Sequence, residues 1–85
     1  MTLPEIEARL VQTLAQCRSL GVPESQLDDM VEWTTAGEPG VALENLCTQL
    51  LEYDVVVPVE VVESLRELGT AMGIADWYWQ RLATK

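Results

Sequence analysis

Apolar positions along the chain recur in steps of three and four. Leu3, Ile6, Leu10, Leu14 and Cys17 predict a first helix with one buried stripe. Thr2-x-x-Glu5 marks its start as a capping box, and Pro4 suits the first turn. Gly21 followed by Pro23 marks its stop. A second helix is expected from Pro23 to about Ala36, with Leu27, Met30, Val31 and Thr34 inward. Gly37-Glu38-Pro39-Gly40 reads as a turn.

The third helix has the strongest pattern: Leu43, Leu46, Cys47, Leu50 and Leu51 follow i, i+3, i+4, i+7, i+8, ending near Tyr53-Asp54. Val55-Val56-Val57 is β-branched and precedes Pro58, which predicts a short extended connection, because a lone strand has no evident pairing partner. From Pro58 a fourth helix carries Val61, Leu65, Leu68 and Met72 inward, weakened at Gly69 and closed by Gly73. Asp76 is placed to cap a short last helix from Trp77 to about Ala83. The expected fold is all-α: residues 1–85 as a small single domain, an antiparallel bundle of four to five helices. No repeat, linker or low-complexity tract divides it.

Composition narrows the function. Eighty-five residues, 48 % of them apolar, make one thin core. Fourteen acids against five bases give a net charge of -9, and there is no histidine. Neutralising phosphates requires Lys and Arg, so nucleic acid and anionic membrane surfaces are excluded as partners. Without His there is no Ser-His-Asp or Cys-His arrangement and no imidazole ligand for a metal. No apolar run approaches the roughly 20 residues of a membrane span. Met1-Thr2-Leu3-Pro4-Glu5 lacks the basic and apolar regions of a signal peptide, so a cytoplasmic location is expected. Cys17 and Cys47 are too few for a disulfide framework and read as buried thiols, with a redox pair as the alternative.

The distribution of charge is more informative than its sum. Residues 19–65, a run of 47, contain no Lys or Arg but ten acids. On the second helix Glu24, Asp28 and Glu32 share a face with no cation in reach along the helix, a small destabilisation for each like-charged pair. Glu60, Glu63 and Glu67 repeat the arrangement on the fourth, with Arg66 between them. Such a face either keeps the protein soluble or draws in a basic partner. All five aromatic rings are Trp or Tyr, and Trp77-Tyr78-Trp79 cannot all be buried on one helical face, so at least one is expected at the surface.

Catalysis has no foothold. Asp28-Asp29 and Glu52/Asp54 are the only carboxylate pairs worth considering, and nothing near them in sequence supplies a nucleophile, a metal partner or a phosphate cradle. Glu63-Ser64-Leu65 echoes the prosthetic-arm site of an acyl carrier, but Ser64 falls inside a helix rather than at its start. No cofactor or metal is expected.

The stretch Gly37-Glu38-Pro39-Gly40-Val41-Ala42-Leu43-Glu44-Asn45-Leu46-Cys47-Thr48-Gln49-Leu50-Leu51-Glu52-Tyr53-Asp54 resembles the MafI-type immunity proteins of bacterial polymorphic-toxin and contact-dependent inhibition systems. That family runs from a Gly-Glu turn through Ala-Leu-Glu-x-Leu-Cys to Leu-x-Glu-Tyr-Asp. Pro58-Val59-Glu60 is similar to its Pro-Glu-Glu helix start. Leu68-Gly69-Thr70-Ala71-Met72-Gly73-Ile74 is similar to its Leu-Gly-x-x-Met-Gly-Leu, and Trp79 with Leu82 to its closing Tyr-Trp-x-x-Leu. The resemblance covers about residues 28 to 82. It departs at Val57, where the family has a Ser able to cap the fourth helix. The resemblance implies an all-helical cytoplasmic antidote that binds the C-terminal toxic domain of a secreted effector, often a nuclease with a basic cleft. Its action is stoichiometric occlusion, without chemistry.

The motif positions Gly37, Ala42, Leu43, Leu46 and Leu50 are those a turn and a core helix require. Partner-binding residues are therefore expected among exposed acids and rings: Asp28, Asp29, Glu32, Trp33, Glu52, Asp54 and Trp77. Two other readings compete with a toxin antidote: a small acidic adaptor working through a Trp77–Trp79 patch, and mimicry of nucleic acid by the acidic face.

Overall fold

The computed structural model describes residues 1–85, and it is all-α. Helix α1 spans Leu3–Gln16 and runs into a 3-10 turn at Cys17–Ser19. Helices α2 (Glu24–Thr35), α3 (Pro39–Glu52), α4 (Val59–Ala71) and the single turn α5 (Trp77–Gln80) follow. The capping box forms as the sequence predicts. Thr2 Oγ1 accepts from the Glu5 amide, and the Glu5 carboxylate accepts from the Thr2 amide. Glu5's pKa is lowered below the ordinary carboxylate value, first by the Thr2 hydroxyl, which donates to its carboxylate at 2.9 Å, and second by the Thr2 amide.

The α2–α3 hairpin is the most extensive helix pair, and α1 lies between it and α4. Leu10, Leu14, Leu27, Leu43, Leu46, Leu50, Leu65 and Leu68 are fully buried at the centre. Cys17 and Cys47 are buried there as free thiols. Thr34 is inward as expected, its hydroxyl donating 2.7 Å to the Met30 carbonyl. Leu3 differs from its expected place on the α1 stripe. It is exposed, because it is the first residue of the helix and packing begins one turn later at Ile6. Helix α3 also starts earlier than the sequence suggests, at Pro39, so the turn shrinks to residues 36–38.

Three helices end on the same backbone device. After α2, Glu38 donates to the Trp33 carbonyl and Gly37 to Thr34. After α4, Ile74 donates to Gly69 and Gly73 to Thr70. After α3, Val55 donates to Leu50 and Asp54 to Leu51. Each pair is a Schellman closure, which places one residue in the left-handed region. That residue is Gly37 (φ 90°), Gly73 (φ 71°) and, after α3, Asp54 (φ 51°).

The last segment departs most from expectation. Helix α5 stops at Gln80 rather than near Ala83, because residues 83–85 leave it to run beside residues 57–59. Val57 donates to the Ala83 carbonyl, Lys85 to Val57 and Val59 to Lys85, forming a parallel bridge between Val57 and Thr84. The Val55–Val57 stretch thus finds the pairing partner that its surroundings in sequence did not reveal. Asp76 makes no capping bond; its backbone is already helical, and its carboxylate accepts from Gln80 Nε2 instead. Trp79 turns inward and lies against Gly69, where a Cβ would come within 2.6 Å of the indole Cη2. Gly69 is therefore a close-approach position in α4 rather than a weak point. No helix is long and apolar enough to cross a membrane.

Candidate binding surfaces

The seven residues picked out from sequence are all exposed, and the structure divides them between two surfaces. Asp28, Asp29, Glu32 and Trp33 lie together on the outer face of α2. Glu52 and Asp54 lie at the end of α3, and Trp77 opens α5.

On α2 one expectation is corrected. The helix is not left without a cation, because the chain bends back through the 3-10 turn and brings Arg18 alongside it. Arg18 Nη2 lies 2.9 Å from Asp28 Oδ1, and its Nη1 lies 4.0 Å from Glu24. Both pairs are solvent-exposed, so they trim the local field more than they add stability. Asp29 and Glu32 have no cation within ion-pair distance, and both adjoin Trp33, which is 37 % exposed. Asp29 stands one turn before Trp33 and Glu32 beside it, so two carboxylates border an accessible indole. The remaining ion pairs, Arg9–Glu67 at 3.0 Å and Arg66–Glu63 at 3.2 Å, lie on α1 and α4.

The second surface is built where α3 ends against α5. The Trp77–Trp79 run does not form a three-ring patch. Trp79 is core, Tyr78 is half-buried, and Trp77 is 47 % exposed. Trp77 stacks on Tyr78 with centroids 4.0 Å apart, and Arg81 lies over the Trp77 ring at 4.5 Å. Arg81 Nε also donates to the Trp77 carbonyl. One recess of about 180 Å³ opens here, lined by Leu50, Leu51, Asp54, Val55, Arg81 and Ala83. Sequence reasoning missed Arg81. Its signal was the i, i+4 spacing from Trp77, which sets a guanidinium over an indole on one turn of helix.

No three Cys, Asp or Glu side chains converge as a metal site. The thiols are poor nucleophiles: burial pushes Cys17 up to about 11, and burial together with the neighbouring Cys17 pushes Cys47 up to about 12. No family model, curated protein or solved structure matches the chain.

Proposed function

We propose that the protein is a cytoplasmic immunity protein that binds a cognate toxin domain, a nuclease with a basic substrate cleft, and neutralises it by stoichiometric occlusion of that cleft or of an adjacent site. The observation that carries this reading is on α2: Asp29 and Glu32 are exposed, without a cation, next to an exposed Trp33, Asp29 one turn before it and Glu32 immediately before it. An acidic patch with an indole at its edge suits a basic protein surface. The field steers encounter, by about 10–10³-fold in rate, and the ring supplies contact area. The resemblance of residues 28–82 to MafI-type immunity proteins points the same way. The adaptor alternative loses part of its basis, since Trp79 is interior and only Trp77 of the run is well exposed.

The test is capture of partners from the source cell's lysate on immobilised protein at low and high salt, with identification by mass spectrometry. A basic toxin fragment bound one to one, and released by the Asp29→Lys/Glu32→Lys double variant, is the expected result. Recovery of only a metabolic or regulatory complex would overturn the proposal in favour of the adaptor. Unchanged toxin affinity in the double variant would remove α2 as the contact.

A further inference from the structure

The recess at the end of α3 is distinct from the α2 face, and its construction is informative. Leu50, Leu51, Val55 and Ala83 give it apolar walls, with Asp54 and Arg81 as its charged residues. At about 180 Å³ it is smaller than the roughly 300 Å³ at which small-molecule sites begin, and it suits one aliphatic side chain.

Asp54 occupies a place where the same chain twice uses glycine. Gly37 and Gly73 hold the left-handed position after α2 and α4, whereas Asp54 holds it after α3 with φ 51°. Aspartate tolerates this conformation better than most L-residues but less well than glycine, so a carboxylate stands at this lip where glycine would fit the backbone better. That carboxylate makes no hydrogen bond or ion pair within the chain, so local stability does not explain it. Arg81 is committed to Trp77 through its stacking and its Nε bond. Arg81 keeps its positive charge there, and with Asp54 and the adjacent Glu52 the corner is net negative by one, with the two carboxylates free of any ion pair. Exposed Tyr53 and Val56 flank Asp54 and Val55 in the chain, and exposed Trp77 lies under Arg81. An apolar hole among accessible rings is how protein interfaces seat an anchor residue.

We infer that this recess is the anchor of a protein interface. It receives one aliphatic side chain of Leu, Ile or Met size from the partner, and a neighbouring Lys or Arg of that partner pairs with Asp54. The inference rests on the basic-partner reading for the partner's charge, but it concerns a surface that the α2 variants leave intact.

The test is a methyl-labelled NMR titration with N-acetyl-leucyl-arginine amide. N-acetyl-seryl-arginine amide and N-acetyl-leucyl-glutamate amide serve as controls. The expected result is saturable, millimolar shifts of the Leu50, Leu51 and Val55 methyls, with the Leu-Arg probe at least about fivefold tighter than either control. Asp54→Gly should fold normally and remove the preference for Leu-Arg over Leu-Glu. Ala83→Phe, at an exposed position, should fill the recess and abolish the shifts. No methyl response up to about 20 mM overturns the inference, as does equal response to all three probes. Shifts confined to the Trp33 indole N–H, read in a parallel 15N-labelled titration, overturn it while leaving the α2 reading in place, so the two failures are distinguishable.

Discussion

Gly69 on α4 lies flat against the indole of Trp79, so close that a methyl group at Gly69 would meet Cη2 at 2.6 Å and Cε3 at 3.0 Å. Gly69→Ala brings two opposing effects. Helix propensity favours alanine by about 1 kcal/mol, whereas overpacking a filled site costs about 1–3 kcal/mol. Net destabilisation is expected, read as a lower midpoint in urea. Combining it with Trp79→Leu should recover part of the loss, with a coupling of at least about 0.5 kcal/mol in a double-mutant cycle.

Asp54→Gly should move stability the other way. Relief of left-handed strain is worth about 1–2 kcal/mol, and the added freedom of the unfolded chain returns about 0.4–1 kcal/mol. A gain near 1 kcal/mol remains, or about 4–8 °C in Tm for a domain of this size. Calorimetry checks it, and a fall in Tm would show that Asp54 is held by something other than tolerance of strain.

Arg18→Ala should separate charge from stability. Its pairs with Asp28 and Glu24 are exposed, so the loss in urea unfolding should stay within about 1 kcal/mol. Association with a basic partner should become faster, because two more carboxylates of α2 are left uncompensated, and the gain should vanish at high salt. Stopped-flow binding at two ionic strengths measures this.

Alkaline stability follows from the thiols. Cys17 and Cys47 keep their protons in the folded state up to about 11 and about 12, against an ordinary value of 9.0. Below pH 9 both states hold the proton and no linkage exists. Above it the unfolded thiols ionise while the folded ones do not, so stability falls by about 1.4 kcal/mol per pH unit for each thiol until the folded value is passed. Urea midpoints from pH 8 to 11 should therefore decline. The decline should be shallower in Cys17→Ala and Cys47→Ala, even though each starts from a weaker core.

These expectations also mark what the sequence could reveal. The buried stripes of α1 to α4 were legible because a helix writes its packing face locally: Ile6, Leu10 and Leu14 need only their spacing. The acids were legible as exposed, but not Arg18 against Asp28, which depends on how the chain bends between α1 and α2. The same holds for the pairing of Val57 with Thr84. Which ring of Trp77-Tyr78-Trp79 turns inward could not be read from the triplet, since the vacancy beside Gly69 decides it. The left-handed Asp54 was within reach: Gly37 and Gly73 stand at the ends of their helices, and the residue in that place after α3 is an aspartate.

The backbone bridge between residues 57–59 and 83–85 turns α4 and α5 into a closed ring of chain. A segment with no helix of its own is ordinarily the first to fray. Here the amides of Val57 and Lys85 are tied to one another's strand, with Leu82 seated in the core beside them. Opening this corner means undocking α5, and with it Trp79 from Gly69, so the corner should exchange its amide hydrogens together with the core rather than ahead of it. The recess built on Ala83 and Val55 thus has walls that rise and fall with the whole domain, and whatever seats itself there meets a surface shaped before it arrives.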